Sequence, residues 1–123
     1  MTRRFSVEEA NAALSWVTER IERLRSARVA LTDEEVREAL SEAAPTNGGG
    51  EPGRAVSEAF LEMRSALMDL QEQEIVLRDL DRGLVDFPAE REGREVFLCW
   101  EEGEPEIGYW HDLDSGYGGR QPL

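Results

Sequence analysis

Cysteine, histidine and lysine are scarce or missing in this 123-residue sequence. Its single cysteine, Cys99, excludes an internal disulfide, a Cys-x-x-Cys redox pair and a thiol cluster for structural zinc. All fourteen basic residues are arginine, and 27 acidic residues outnumber them to give a formal net charge of -13. Proteins that bind nucleic acid or anionic membranes need a cationic surface, so this charge argues against both partners.

Long apolar runs are also missing. No run approaches the roughly 18 residues that span a bilayer. The segment after Met1 lacks the apolar stretch that a secretory signal carries after its basic start. Together with the unpaired cysteine, these features predict a cytoplasmic protein in a reducing compartment. The length predicts one domain over residues 1–123.

The first third of the sequence has the pattern of a long helix. Ser6 and Glu9 have the spacing of an N-terminal capping box. Apolar residues then recur in the heptad spacing of a coiled-coil seam. These residues are Ala10, Leu14, Val17, Ile21, Leu24 and Leu31. The pattern predicts a helix over residues 6–44, continuous or kinked near residue 32, where Thr32 is placed to cap a fresh helix.

A second heptad seam lies in the middle of the chain. Residues 45–53 are rich in glycine and proline and predict a flexible loop. The seam follows over residues 54–78, at Val56, Phe60, Met63, Leu67, Leu70 and Leu77. Two seams joined by one loop predict a long, antiparallel, coiled-coil-like helical hairpin.

The apolar pattern changes to that of strands near residue 84. Residues 84–89, 94–100 and 106–111 are rich in β-branched and aromatic side chains and are bounded by turn residues. They predict a three-stranded antiparallel β-meander over residues 84–112, followed by an ordered glycine-rich C-terminal tail over residues 113–123. The predicted fold class is therefore α+β.

Both faces of the central predicted strand are apolar. Val96, Leu98 and Trp100 point to one face, while Phe97 and Cys99 point to the other. The helical hairpin can cover one face, and the chain is too short to supply another layer. We therefore expect the chain to associate with itself as a homodimer or a higher oligomer.

Several strings in the sequence are specific enough to indicate a family. Residues 83–123 contain GLVDFP, GREVFLCW, GEPEIGYWH and GYGGRQPL, and residues 5–14 read FSVEEANAAL. With these strings the sequence resembles the bacterial family of uncharacterised proteins known as domain of unknown function 2203. The resemblance implies a variable helical pair followed by a β-rich end. It implies no activity and no catalytic residues.

The candidate ligand or metal site lies in the β-rich part, at Asp86, Glu104, His111 and Arg120. His111 with Asp86, Glu104 or Asp112 offers imidazole and carboxylate donors that suit a divalent metal such as Mn, Fe or Zn. Asp86 and His111 could instead act in acid–base chemistry. The sequence favours structural roles, in which His111 is hydrogen bonded and Asp86 accepts from Arg94 or Arg120 in a buried ion pair.

Cys99 and the glycine-rich tail offer two further interpretations. Cys99 could be a nucleophile with His111 as its base, but no nearby cation is evident to lower its pKa, so a buried small hydrophobe is favoured. Residues 116–120 could form an anion-binding nest that includes Arg120, although a tight turn is favoured.

Aromatic side chains form another candidate site. Trp100, Tyr109 and Trp110, with Tyr117 from the tail, could line a pocket for a flat ligand, with His111 or Arg120 as its polar anchor. Core and interface packing explains the same residues.

Two functions remain open from the sequence. The favoured one is a non-enzymatic homo-oligomeric scaffold or interaction protein. The alternative is a small-ligand or metal-binding protein, enzymatic or not, with an interfacial site around His111 and Arg120.

Overall fold

The computed structural model describes residues 3–40 and 54–123, in which helices pack on one face of an antiparallel sheet. The helices are α1 (Val7–Val29), α2 (Asp33–Leu40) and α3 (Arg54–Glu72). The strands are β1 (Val76–Asp79), β2 (Leu84–Arg91), β3 (Arg94–Glu101), β4 (Tyr109–Asp112) and β5 (Gln121–Pro122). They lie in the order β1-β2-β3-β4-β5. None of the helices in the described ranges combines the length and apolar content that crossing a bilayer requires.

Capping boxes fix the N-terminal ends of the first two helices, α1 and α2. Ser6 Oγ accepts from the Glu9 amide at 3.0 Å, and the Glu9 carboxylate accepts from the Ser6 amide at 2.9 Å. Thr32 and Glu35 make the same reciprocal pair at 3.2 and 2.9 Å. The predicted helix over residues 6–44 is therefore two helices with a break after Val29. Residues 41–44 and the predicted loop over residues 45–53 lie outside the described residues.

Helix α3 ends at Glu72, so the prediction that it continues to residue 78 is wrong. The Ile75 amide donates to the Leu70 carbonyl at 3.0 Å, and the Glu74 amide donates to the Gln71 carbonyl at 2.9 Å. These two bonds are those of a Schellman C-cap, with Glu74 at the left-handed position and φ of 58°. The chain then turns directly into β1.

Helices α1 and α3 pack side by side in opposite directions. Arg20 pairs with Asp69 at 3.2 Å, and Arg23, further along α1, binds Glu62, which lies earlier in α3. Their inner faces and one face of the sheet form the core. Its buried members include Val17, Ile21, Leu24, Met63, Leu70, Val85, Phe87 and Leu98.

The sheet has five strands, so the prediction of a three-stranded meander is wrong in strand number. Strand β1 comes from residues predicted as helix, and β5 comes from the predicted tail. β1 pairs with β2 only as far as Asp86, and the uncovered Pro88 carbonyl accepts from the Phe5 amide at 2.7 Å. Proline fits there because its position faces a sheet edge and no ladder donor is needed.

Candidate functional site

Asp86, Cys99 and His111 come together at the centre of the sheet. Asp86 on β2 lies opposite Cys99 on β3, and His111 on β4 lies opposite Phe97. Because side chains alternate along a strand, all three lie on the face that points away from the helices. One donor atom from each lies within 4.8 Å of the other two. Each residue is only 1% exposed.

The orientation of His111 is fixed by two hydrogen-bond acceptors. Its Nδ1 lies 2.7 Å from the Asp112 carbonyl, and its Nε2 lies 3.0 Å from Asp86 Oδ1. A carbonyl can only accept, so Nδ1 carries the hydrogen and donates it. Nε2 then has only a lone pair to offer, and the Asp86 carboxylate oxygen is also an acceptor. Their close approach is favourable only when they share a proton or bind a metal ion together.

Asp86 is also held from its second oxygen. Arg78 Nε donates to Asp86 Oδ2 at 2.8 Å, and the Arg78 guanidinium lies over the Phe97 ring. Arg78 falls at an irregularity in the β1–β2 register, a place where strands commonly re-aim a side chain. The sequence predicted Arg94 or Arg120 as the partner, and this is wrong: Arg94 pairs with Asp112 and Arg120 with Glu104.

Burial controls the chemistry of Cys99. Burial, together with the negative charge of Asp86, raises the pKa of the Cys99 thiol to about 12. In the metal-free protein the sulfur is therefore a neutral thiol, which is a poor nucleophile. A bound metal ion reverses this balance, because a coordinating thiol loses its proton outright.

Glu104 and Arg120 form a separate cluster and do not join His111. Arg120 Nη2 donates to both Glu104 carboxylate oxygens, at 2.7 and 2.9 Å, and to the Cys99 carbonyl at 3.2 Å. The guanidinium lies over the rings of Tyr109 and Tyr117. These contacts attach the C-terminal segment to the sheet beside Cys99.

The candidate aromatic pocket is divided between the two faces of the sheet. Trp100 and Trp110 are buried on the helix-facing side, and Trp100 Nε1 donates to the Glu104 carbonyl at 3.0 Å. Tyr109 lies on the opposite face, in register with Cys99. These three side chains therefore do not line one pocket.

The sequence identified Asp86 and His111 and missed Cys99 as the third member of the buried centre and Arg78 as the partner of Asp86. Asp86 and His111 stood out as an acid within an apolar strand and as the only histidine. Arg78 was missed because its segment was counted as helix. Cys99 was considered only as a nucleophile or as a buried hydrophobic residue. Its predicted position on the same sheet as Asp86 and His111 could have indicated that it is a candidate ligand.

The fold and this centre define a small α+β protein with a buried Asp-Cys-His cluster on the helix-free face of an antiparallel sheet. The chain belongs to the family described as an uncharacterized conserved protein (DUF2203), whose model matches residues 3–123. This match confirms the resemblance found in the sequence. No curated protein and no solved structure matches the chain.

Proposed function

We propose that the protein binds a divalent metal ion through Asp86, Cys99 and His111, with Zn²⁺ the best fit. One observation carries the proposal: the three donor atoms converge within 4.8 Å, with the histidine already turned to present Nε2. Oxygen, sulfur and nitrogen donors together suit Zn²⁺, and bonds of about 2.0 to 2.3 Å would draw the three donors closer together than they lie here.

The surroundings of the three residues support this use. Metal-bound histidines usually donate their other ring N–H to a carbonyl or carboxylate, as His111 does to Asp112. Ligating carboxylates are themselves hydrogen bonded, as Asp86 is by Arg78. A carboxylate and a thiolate would balance the charge of a divalent ion. Three protein donors leave a tetrahedral ion one position for water or a small ligand.

Titration with Co²⁺ tests the proposal, because Co²⁺ reports a thiolate ligand through near-ultraviolet charge-transfer absorption. We expect saturation at one ion per chain. Cys99→Ser should abolish the charge-transfer band, and His111→Asn and Asp86→Asn should weaken binding at least about tenfold. Glu106→Gln, which removes an exposed acid outside the cluster, is the matched control and should bind as the wild type does.

Proton release provides a second readout. Metal binding displaces the proton of the Cys99 thiol, so at least one proton should appear per ion in weakly buffered solution. Affinity should therefore fall as pH is lowered. Folded protein, verified by circular dichroism, that shows no thiolate band or is unaffected by Cys99→Ser would overturn the proposal.

We also propose that the chain associates with itself, which keeps the scaffold function as a second candidate. The supporting observation is an apolar pair on the outside of α3: Leu61 is 62% exposed and Met68 is 52% exposed. Their seven-residue spacing is that of a coiled-coil seam. We propose a cytoplasmic location, where a reducing environment keeps the Cys99 thiol free to bind metal.

Sedimentation velocity at micromolar concentration measures this association. We expect a dimer or larger species for the wild type. Leu61→Glu with Met68→Glu should shift it to monomer, because four charges would face each other across a two-fold interface. Glu72→Gln, an exposed change on the same helix, should leave the mass unchanged. A monomeric wild type at these concentrations would contradict the proposal.

A further inference from the structure

An open cavity of about 800 Å³ lies beside the end of α3, where β2 and β3 extend past β1. Its walls are mostly apolar and include Leu67, Leu70, Val76, Ala89, Val96 and Phe97. This volume is within the range of pockets that hold small organic ligands. The cavity is not part of the Asp-Cys-His centre, since none of those three side chains lines it.

Charged groups at this cavity are mainly acidic. Glu74 and Glu95 line it together with Arg4, and Arg4 is engaged by Glu90 and by Glu95 at 3.2 Å. Glu74 accepts a hydrogen bond from the backbone amide of Arg3. Within the described residues, Glu74 forms no ion pair with a basic side chain.

Two features of the position make glutamate unfavourable at residue 74: the backbone conformation and the helix dipole. Its φ of 58° lies in the left-handed region, where glycine is the usual residue at a helix C-cap. Its carboxylate also follows the C-terminus of α3, whose last turn carries no basic residue, so the helix dipole opposes it. Locally unfavourable residues of this kind concentrate at binding sites.

We propose that this cavity binds a small organic cation, with an apolar body in the cavity and an ammonium group against Glu74. The charges support a cation: the Glu74 carboxylate and the negative end of the α3 dipole meet at one place, while Glu95 is already paired with Arg4. The apolar walls select against small inorganic cations, which carry no surface for them to cover. This inference is independent of the metal proposal.

Calorimetric titration with three ligands of equal chain length separates charge from apolar burial. The probes are octylammonium and octanoate below their micellar concentrations and octanol below its solubility limit, added to chelator-treated protein so that a metal plays no part. We expect one saturable site for octylammonium and affinity about tenfold weaker for octanol, the value of one partly buried ion pair. Octanoate should show no saturable binding.

Glu74→Gly and Glu92→Gly form a matched pair of variants. Glu92 has φ of 53° and is exposed in the turn between β2 and β3, and it does not line the cavity. Both substitutions remove one negative charge and place glycine at a position with left-handed backbone conformation. Both should therefore raise the melting temperature of the free protein. Only Glu74→Gly should remove the preference for octylammonium over octanol.

Glu74→Gln keeps the side-chain length and separates the charge from the backbone effect. It should lose the same preference and raise the melting temperature less than Glu74→Gly does, because the left-handed backbone penalty remains. Saturable binding that is equal for octylammonium and octanol, or a preference that survives in Glu74→Gln, would overturn the inference. Absence of saturable binding by all three probes would overturn it as well.

Discussion

At the scale of single residues, the buried centre depends on which atoms accept and which donate. Both ring nitrogens of His111 face acceptors, so a shared proton or another cation must lie between Nε2 and Asp86. The sequence could predict Asp86 and His111 because each is unusual for its place in the chain. It could not predict the Asp112 carbonyl contact, because a backbone group carries no side-chain signal.

Cys99 gives a direct prediction at this scale. Because burial raises the pKa of its thiol to about 12, native metal-free protein should react with iodoacetamide about a thousandfold more slowly near pH 8 than urea-unfolded protein does. The native rate should rise with pH as the thiolate fraction grows. Mass spectrometry follows a single adduct, since Cys99 is the only cysteine. Rapid native labelling at neutral pH would contradict the burial that the structure shows.

At the scale of elements, helix starts were easier to predict than helix ends, since α1 and α3 both end before the predicted residue. The Ser6–Glu9 and Thr32–Glu35 capping boxes can be recognised in the sequence, because side chains make the capping hydrogen bonds. The end of α3 depends on a left-handed residue, and the usual sequence signal for that conformation is glycine. Glu74 stands there instead, so the heptad pattern through Leu77 predicted a helix where a cap and a strand are formed.

The two edge strands were missed for related reasons. β1 has four residues and β5 has two, which is too short for an alternating pattern to be distinguished from its surroundings. Their pairing is determined by tertiary contacts with β2 and β4. The missing β1 also concealed Arg78, so an error at the scale of an element removed a residue from the predicted site.

At the scale of the whole molecule, polar contacts join the helix layer to the sheet at both ends of α1. Near its start, Asn11 Oδ1 accepts from the Ile107 amide at 2.7 Å. Near its end, Arg25 donates to the carbonyls of Leu80 and Asp81 and to Glu102. These contacts link residues that are distant in sequence, so no local pattern could predict them. They set the position of α1 over the sheet, while apolar burial supplies most of the stabilisation.

Arg25 and Arg28 provide the test of this anchoring, since they lie one turn apart on α1. Arg25 makes several bonds to the β1–β2 turn and to Glu102 while only 29% exposed, whereas Arg28 forms a more exposed pair with Asp81. Arg25→Ala should lower the free energy of unfolding by about 2 kcal/mol, because it leaves carbonyls and a carboxylate without their donor. Arg28→Ala should cost less than about 1 kcal/mol. Urea denaturation measures both, and equal losses would show that the Arg25 contacts do not anchor the helix layer to the sheet.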